Sequence, residues 1–226
     1  MAILIKYLDS SYNDKKEIDK LINKAYKVNK NFFEKDIKEN NIEIIIVYNR
    51  NQFDNFNERK TEKWEVGYTF GRNNKVTIVI FSQSVFEKIS NHPKSDFSSI
   101  LIHEFAHVFT GYILHFYYPK WLHEGIAGYI AKQYKSKILD KDKILSLSKL
   151  HDKTNWYKNP NYPEAFLFTK FLFDKFGKDK MLEFLTTLKK SLDKYHSYKD
   201  FENYFNKYFE HNLNRIFKEW KLFLVK

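Results

Sequence analysis

Residues 101–107 have the sequence Leu-Ile-His-Glu-Phe-Ala-His, and this stretch decides how the chain is interpreted. In a helix, His103 and His107 lie roughly 40° apart around the axis, so both imidazoles can reach one metal ion. Glu104 projects about 100° from His103, where its carboxylate can hold a water molecule instead of binding the metal. The pattern H-E-x-x-H therefore predicts a metal site on a helix.

The residues before this stretch have the pattern of a mixed α/β lobe. Apolar positions at helical spacing predict an amphipathic helix over 11–38. Short alternating or β-branched runs predict strands at four places, 2–8, 42–48, 64–70 and 75–81. The last two runs flank Gly-Arg-Asn-Asn and predict a β-hairpin. The polar residues 49–63 predict a loop with room for one turn of helix.

The remaining residues predict helices and no strand. Pro93 and Asp96 supply stop and start signals, with Asp96 as the N-cap, so the helix that carries H-E-x-x-H should run from about 97 to about 110. Pro119 opens the next helix, and Gly177 should end a later one. Further helices are predicted over 138–150, 163–176, 179–195, 198–209 and 213–225.

The predicted fold class is α+β in a single domain over 1–226. No linker, internal repeat or low-complexity tract divides the chain. An N-terminal mixed α/β lobe, residues 1–115, should carry the small sheet, the hairpin and the H-E-x-x-H helix. A C-terminal all-helical lobe, residues 116–226, should carry whatever completes the metal site.

Residues 119–129, Pro-Lys-Trp-Leu-His-Glu-Gly-Ile-Ala-Gly-Tyr, contain the candidate for a third ligand. A catalytic zinc ion takes three protein ligands, and a chain without cysteine must supply nitrogen or carboxylate oxygen. Glu124, 17 positions after His107, can be that ligand if the chain turns back between 111 and 119. The adjacent His123 points about 100° away on a helix, so only one of the pair can face the metal, and Glu124 is favoured.

The two motifs together resemble the gluzincin metallopeptidases, especially the small peptidase-MA-like group, whose second motif reads W-L-x-E-G-x-A-x-Y. The resemblance implies a zincin-like fold and Zn2+ held by His103, His107 and Glu124. It implies a hydrolase that cleaves peptide bonds with Glu104 as the general base. An oxyanion donor is also needed, and Tyr162 is the candidate because it begins the helix after the motifs. Simple packing is the alternative for Tyr162.

The resemblance also implies where a substrate would bind, which is along one strand of the sheet. In gluzincins the edge strand over the metal helix binds substrate as an added strand, and residues 75–81 are predicted to do so. No G-x-M-E-N element precedes the helix, so an exopeptidase site that grips the substrate's amino group is not supported. Gly128 stands where thermolysin-like enzymes have an acidic residue, so the partners of the imidazoles are not identified.

The composition limits the classes of binding partner and the cellular location that we expect. The formal charge is +11, but only four of the 39 basic residues are arginines and the lysines are scattered, so no specific nucleic-acid partner is expected. A peptide or protein substrate is expected instead. No apolar run reaches about 18 residues, so no membrane span is expected. The N-terminus lacks the pattern of a signal peptide, which predicts a cytoplasmic protein, with a secreted mature form as the alternative.

Two other functions stay open from the sequence. The first is a catalytically inactive zincin-fold protein that serves as a binding or scaffold protein. Glu104 beside three ligands speaks against it, because a structural zinc ion usually has four protein ligands and needs no base. The second is a nucleic-acid-binding protein, which rests on charge alone.

Overall fold

The computed structural model describes residues 3–9, 11, 13–37, 42–72, 75–114, 119–136, 139–140, 143–152, 161–189 and 197–224. The chain divides into two compact units, residues 1–109 and residues 110–226. The first unit contains a sheet with helices. The second contains helices and no strand among its described residues. The predicted α+β class is confirmed.

The first unit contains a mixed four-stranded sheet. Its strands are β1 (Leu4–Tyr7), β2 (Ile42–Val47), β3 (Gly67–Arg72) and β4 (Lys75–Phe81). They are arranged in the order β1-β2-β4-β3; β1, β2 and β4 are parallel, and β3 is antiparallel to β4. The β-branched residues of β2 and β4 are buried almost throughout, as expected for interior strands covered on both faces.

The prediction that residues 75–81 add a substrate strand is wrong. β4 pairs with β2 on one side and with β3 on the other, so its backbone N–H and C=O groups are already used within the sheet. β3 is the edge strand on this side. The hairpin itself is confirmed, with Gly67 opposite Ile80 and Arg72 opposite Lys75.

Helices of the first unit pack on this sheet and on one another. They are α1 (Lys15–Phe33), α2 (Arg50–Asn57), α3 (Phe86–Ile89) and α4 (Phe97–Leu114), which continues into the second unit. The Phe33 and Phe109 rings stack with centroids 5.6 Å apart. The Asn29 side-chain amide of α1 donates to the Ile102 carbonyl of α4 at 3.0 Å. An apolar contact and a buried polar contact therefore fix α4 against α1.

The segment 49–63 is more helical than its polarity suggests. Asn49 caps α2 by accepting a hydrogen bond from the Gln52 backbone N–H at 2.9 Å, and eight residues follow in helical conformation. Phe53 supplies the buried contact of α2, with its ring 4.6 Å from that of Phe81. The N-cap and the buried Phe53 therefore support a helix whose other residues, apart from Phe56, are polar.

The second unit is built from helices that follow α4. They are α5 (Lys120–Ile130), α6 (Leu147–His151), α7 (Tyr162–Phe176), α8 (Lys178–Lys189), α9 (Tyr198–Phe209) and α10 (Leu213–Phe223). Gly177 ends α7 as predicted, with φ of 80° and an N–H that donates to the Phe173 carbonyl at 2.9 Å. The predicted continuation of α8 over 190–195 and of α10 to residue 225 lies outside the described residues.

The predicted helix over 138–150 is confirmed only from Leu147, where α6 begins, and the described residues before it do not form an α-helix. Residues 144–146 are not helical, and α6 begins only after Ser146, which has an extended conformation. The Ser146 side chain accepts from the Lys149 N–H, which is an N-cap interaction. The Leu145 N–H donates to the carboxylate of Glu164 on α7 at 3.3 Å. Tertiary and capping bonds replace the helical bonds that the apolar spacing favours.

Two glycines of α5 allow it to pack closely on α7. A Cβ atom at Gly125 would lie 1.9 Å from Thr169 Oγ1 and 2.7 Å from the Ala165 carbonyl oxygen. A Cβ atom at Gly128 would lie 2.2 Å from the ring of Phe166. These distances are far below ordinary contact, so neither position has room for a side chain.

Replacing either glycine by alanine should destabilise the protein. Alanine in a helix interior normally gains about 1 kcal/mol over glycine, so a helix without this contact would become more stable. We expect Gly125→Ala and Gly128→Ala to lower the free energy of unfolding by roughly 1–3 kcal/mol instead, because of overpacking. Urea denaturation followed by circular dichroism measures the change, with Lys199→Ala on the exposed face of α9 as the control. A gain in stability at both positions would contradict the packing of α5 on α7.

Stability of the second unit should depend on pH through His151. Its ring packs against Tyr198 and Phe201, with centroids 5.2 Å and 5.4 Å away. Burial lowers the pKa of His151 to about 4, whereas the unfolded value is about 6.5. The unfolded state therefore binds the proton first as the pH falls, and stability is lost between about pH 6.5 and pH 4.

Substituting His151 by phenylalanine should remove that part of the pH dependence. The loss contributed by His151 is at most about 3 kcal/mol between pH 7 and pH 4, and the phenylalanine ring keeps the aromatic packing. Denaturant titrations of both proteins across this range measure the difference. Parallel curves for wild type and His151→Phe would show that the imidazole is not the titrating group.

Candidate metal centre

α4 presents its two histidines to each other. His103 and His107 are 8% and 7% exposed, and their Nε2 atoms are 3.0 Å apart. The ring planes are nearly perpendicular, at 84°. Phe105 and Phe109 occupy the part of α4 that packs against α1, so the apolar contacts set the rotation of the helix and thereby the direction of the imidazoles.

Glu124 completes a group of three potential metal ligands. His103, His107 and Glu124 each offer one ligand atom, and these atoms lie within 4.8 Å of one another. All three residues are buried, with Glu124 only 3% exposed. Imidazole nitrogens and one carboxylate oxygen form the donor set of His2Glu zinc sites. The described residues therefore contain a buried group that can hold a metal ion.

His123 has a different environment from Glu124, its neighbour on α5. The His123 ring is partly exposed, and its Nε2 is 2.9 Å from the Thr110 hydroxyl oxygen. The carboxylate of Glu124 forms an ion pair with Lys120, one turn earlier on α5, with Nζ and Oε1 2.7 Å apart. The choice of Glu124 over His123 as the ligand remains a prediction, and it agrees with these positions.

Glu104 lies on α4 beside His103 and is directed at the edge strand β3. Its side chain is buried, and its Oε2 accepts a hydrogen bond from the Thr69 hydroxyl at 2.6 Å. A Cβ atom at Gly67 would lie 2.7 Å from Glu104 Oε1, so the carboxylate also touches the strand at Gly67. Sequence reasoning missed both contacts. An isolated glycine inside a strand pattern is the signal that could have indicated a close approach.

Tyr162 is the first residue of α7, as predicted, and its ring is 5.8 Å from that of Phe166. Its catalytic role remains a prediction.

Glu164, on the same turn, is a buried acid that sequence reasoning missed. Its Oε1 accepts from the Leu145 N–H, its Oε2 has no hydrogen-bond partner among the described residues, and burial raises the pKa of the carboxyl group. In the sequence it looks like an ordinary acid in a first turn.

Asp96 does not show the predicted capping contact. It ends a short 3-10 turn before α4, and its carboxylate lies 3.2 Å from Nδ1 of His92. The other ring nitrogen of His92 lies 3.1 Å from the Trp64 carbonyl oxygen. His92 therefore links the residues before β3 to the start of α4, and it stands apart from the three potential ligands.

No model of a known protein family matches the chain, and no curated protein matches it either. Within the described residues, none of the helices combines the length and the apolar character that a membrane span requires.

Substitution of one candidate ligand should abolish metal binding. We expect wild-type protein to bind about one zinc ion per chain, since the described part of the chain contains one such group of three ligands. His107→Ala and Glu124→Ala should each reduce the bound zinc to near zero after dialysis, because two ligands remain. His123→Ala is the matched control and should retain zinc. Elemental analysis by mass spectrometry measures the content, and loss of zinc in His123→Ala alone would place the third ligand at His123.

Proposed function

We propose that this chain is a zinc-dependent metallopeptidase of gluzincin type with a zincin-like fold. The observation that carries the proposal is the buried group of His103, His107 and Glu124, with Glu104 adjoining the first of them on α4. Three ligands leave a position open for reactants, which a structural site normally closes with a fourth protein ligand. A further acidic side chain on the same helix gives the site a base.

The ligand atoms that this chain offers suit a catalytic zinc ion. When bound, zinc would polarise a carbonyl group and lower the pKa of a coordinated water molecule toward neutrality. His103 and His107 would hold it through Nε2, the atoms that converge in α4, and Glu124 through a carboxylate oxygen. All three residues are buried.

Glu104 has the role of general base in this proposal. Its carboxylate would accept a proton from the attacking water and then deliver that proton to the leaving amine. Thr69 donates a hydrogen bond to Oε2, and we assign the proton exchange to Oε1. Tyr162 is proposed as the donor to the oxyanion, by its position at the start of α7.

The peptide substrate is proposed to bind along β3. Among the described residues this strand is the edge of the sheet, so none of their strands pairs with one side of its backbone. An extended peptide can add to such an edge through backbone hydrogen bonds alone, and pockets for alternate side chains then set specificity. This mode of binding requires a polypeptide backbone, so we propose a peptide or protein as the substrate.

Conversion of Glu104 to glutamine tests the proposal. Glutamine keeps the shape of the side chain and can accept the Thr69 hydrogen bond but cannot take the proton. We expect kcat/KM for peptide cleavage to fall by roughly 10²- to 10⁴-fold while zinc content is unchanged. Digestion of a peptide library, read by mass spectrometry beside zinc analysis, measures both.

The control is Glu87→Gln, at an exposed glutamate on α3, which should cleave like wild type. Equal turnover by wild type and Glu104→Gln would overturn the mechanism. A wild-type protein that binds zinc but cleaves no peptide would favour a binding or scaffold role.

A further inference from the structure

We propose that β3 positions the general base, with Thr69 as the positioning residue for the Glu104 carboxylate. The inference rests on the proposed function and adds a role for β3 that is separate from holding substrate. Two contacts on the same face of the strand carry it, one at Thr69 and one at Gly67.

The first contact is the hydrogen bond from Thr69 to Glu104. The hydroxyl oxygen of Thr69 lies 2.6 Å from Glu104 Oε2 and 3.3 Å from the Glu104 carbonyl oxygen. A hydroxyl has one proton, and the shorter distance to a charged acceptor assigns it to the carboxylate. Glu104 is only 6% exposed, so this bond is poorly screened by water. The donated proton fixes one oxygen of the base in place.

The second contact is steric and involves the other oxygen. A Cβ atom at Gly67 would lie 2.7 Å from Glu104 Oε1, 2.9 Å from Cγ and 3.0 Å from Cδ. Gly67 and Thr69 are two positions apart, so they share one face of β3. The strand therefore supplies a donor for Oε2 and the space that Oε1 occupies.

β3 is held firmly enough to act as a reference for the carboxylate. Gly67 and Thr69 lie opposite Ile80 and Ile78 of β4, and both isoleucines are fully buried. Just before the strand, the Arg50 guanidinium donates to the Glu65 carbonyl at 2.7 Å and, through its other nitrogen, to the Ile89 carbonyl at 2.7 Å. A displacement of β3 would disturb these contacts as well as the carboxylate.

Loss of the donor should reduce the rate of catalysis without a comparable effect on substrate binding. Thr69→Val keeps the shape and the strand backbone but removes the hydroxyl. A misplaced catalytic group can cost about 100-fold in rate, so we expect kcat to fall roughly 10- to 100-fold with KM changed by about twofold or less. Zinc content should match wild type. Thr69→Ser restores the hydroxyl and should recover most of kcat.

A matched control and a measurement independent of activity complete the test. Thr77→Val removes a buried hydroxyl from the neighbouring strand β4 and should leave kcat close to wild type. In urea denaturation, Thr69→Val should lower the midpoint in the wild-type background, because a buried carboxylate loses its donor. The same change should have much less effect in a Glu104→Ala background, where no carboxylate needs it.

The outcomes separate this inference from the proposed function. If Glu104→Gln is inactive and Thr69→Val matches wild type in kcat, the positioning role is overturned and the proposed function stands. If wild type and Glu104→Gln have the same turnover, the proposed function is overturned, and the positioning of a base falls with it. Equal midpoint shifts for Thr69→Val in both backgrounds would show that the two side chains do not interact.

Discussion

The structure depends on keeping two imidazoles buried on α4 with their Nε2 atoms 3.0 Å apart. Burying polar groups costs free energy unless they are hydrogen-bonded or bind a metal. On another side of α4, Phe105 and Phe109 pack the helix against α1. The packing of the aromatic side therefore fixes where the histidine side points. A metal ion held by the imidazoles and by Glu124 would offset the cost of burying all three.

The position of Glu124 depends on two glycines on its own helix. Gly125 and Gly128 leave no space between α5 and α7, as the short Cβ distances show. Trp121 anchors the same helix with its ring 5.3 Å from that of Phe168 on α7. A helix fixed by its backbone along α7 cannot rotate freely, so the direction of the Glu124 side chain is set by small residues and an aromatic anchor. Close packing of α5 on α7 is therefore sufficient to explain why glycine occupies positions 125 and 128.

The sequence predicts those parts of the fold and the site that depend on local spacing. The pattern H-E-x-x-H requires a helix, and α4 is one. The Gly177 cap and the 67–81 hairpin also follow from local residue types. The parts that depend on tertiary pairing are not predictable in this way. Strand order is one of them, because nothing within 75–81 shows that β2 pairs beside it and makes β3 the edge.

The hydrogen bond from Thr69 to Glu104 was not predictable for the same reason. Thr69 is 35 positions away from Glu104, and neither residue type is unusual for its element. The non-helical conformation of residues 144–146 has a similar cause, because the Leu145 N–H bonds to a carboxylate on α7. Local periodicity cannot show a long-range hydrogen bond that competes with the helical one.

In the proposed mechanism one strand both binds a peptide and positions the base, because the two tasks use different directions of the strand. Backbone donors and acceptors of β3 lie in the plane of the sheet, where an added peptide strand would pair. Side chains project perpendicular to that plane, and Thr69 reaches Glu104 from this face. Pairing of a peptide with the edge would therefore leave the Thr69 bond intact and would hold β3 on both sides. Substrate binding would then restrict the motion of the strand that orients the base, which couples recognition to catalysis without any moving loop.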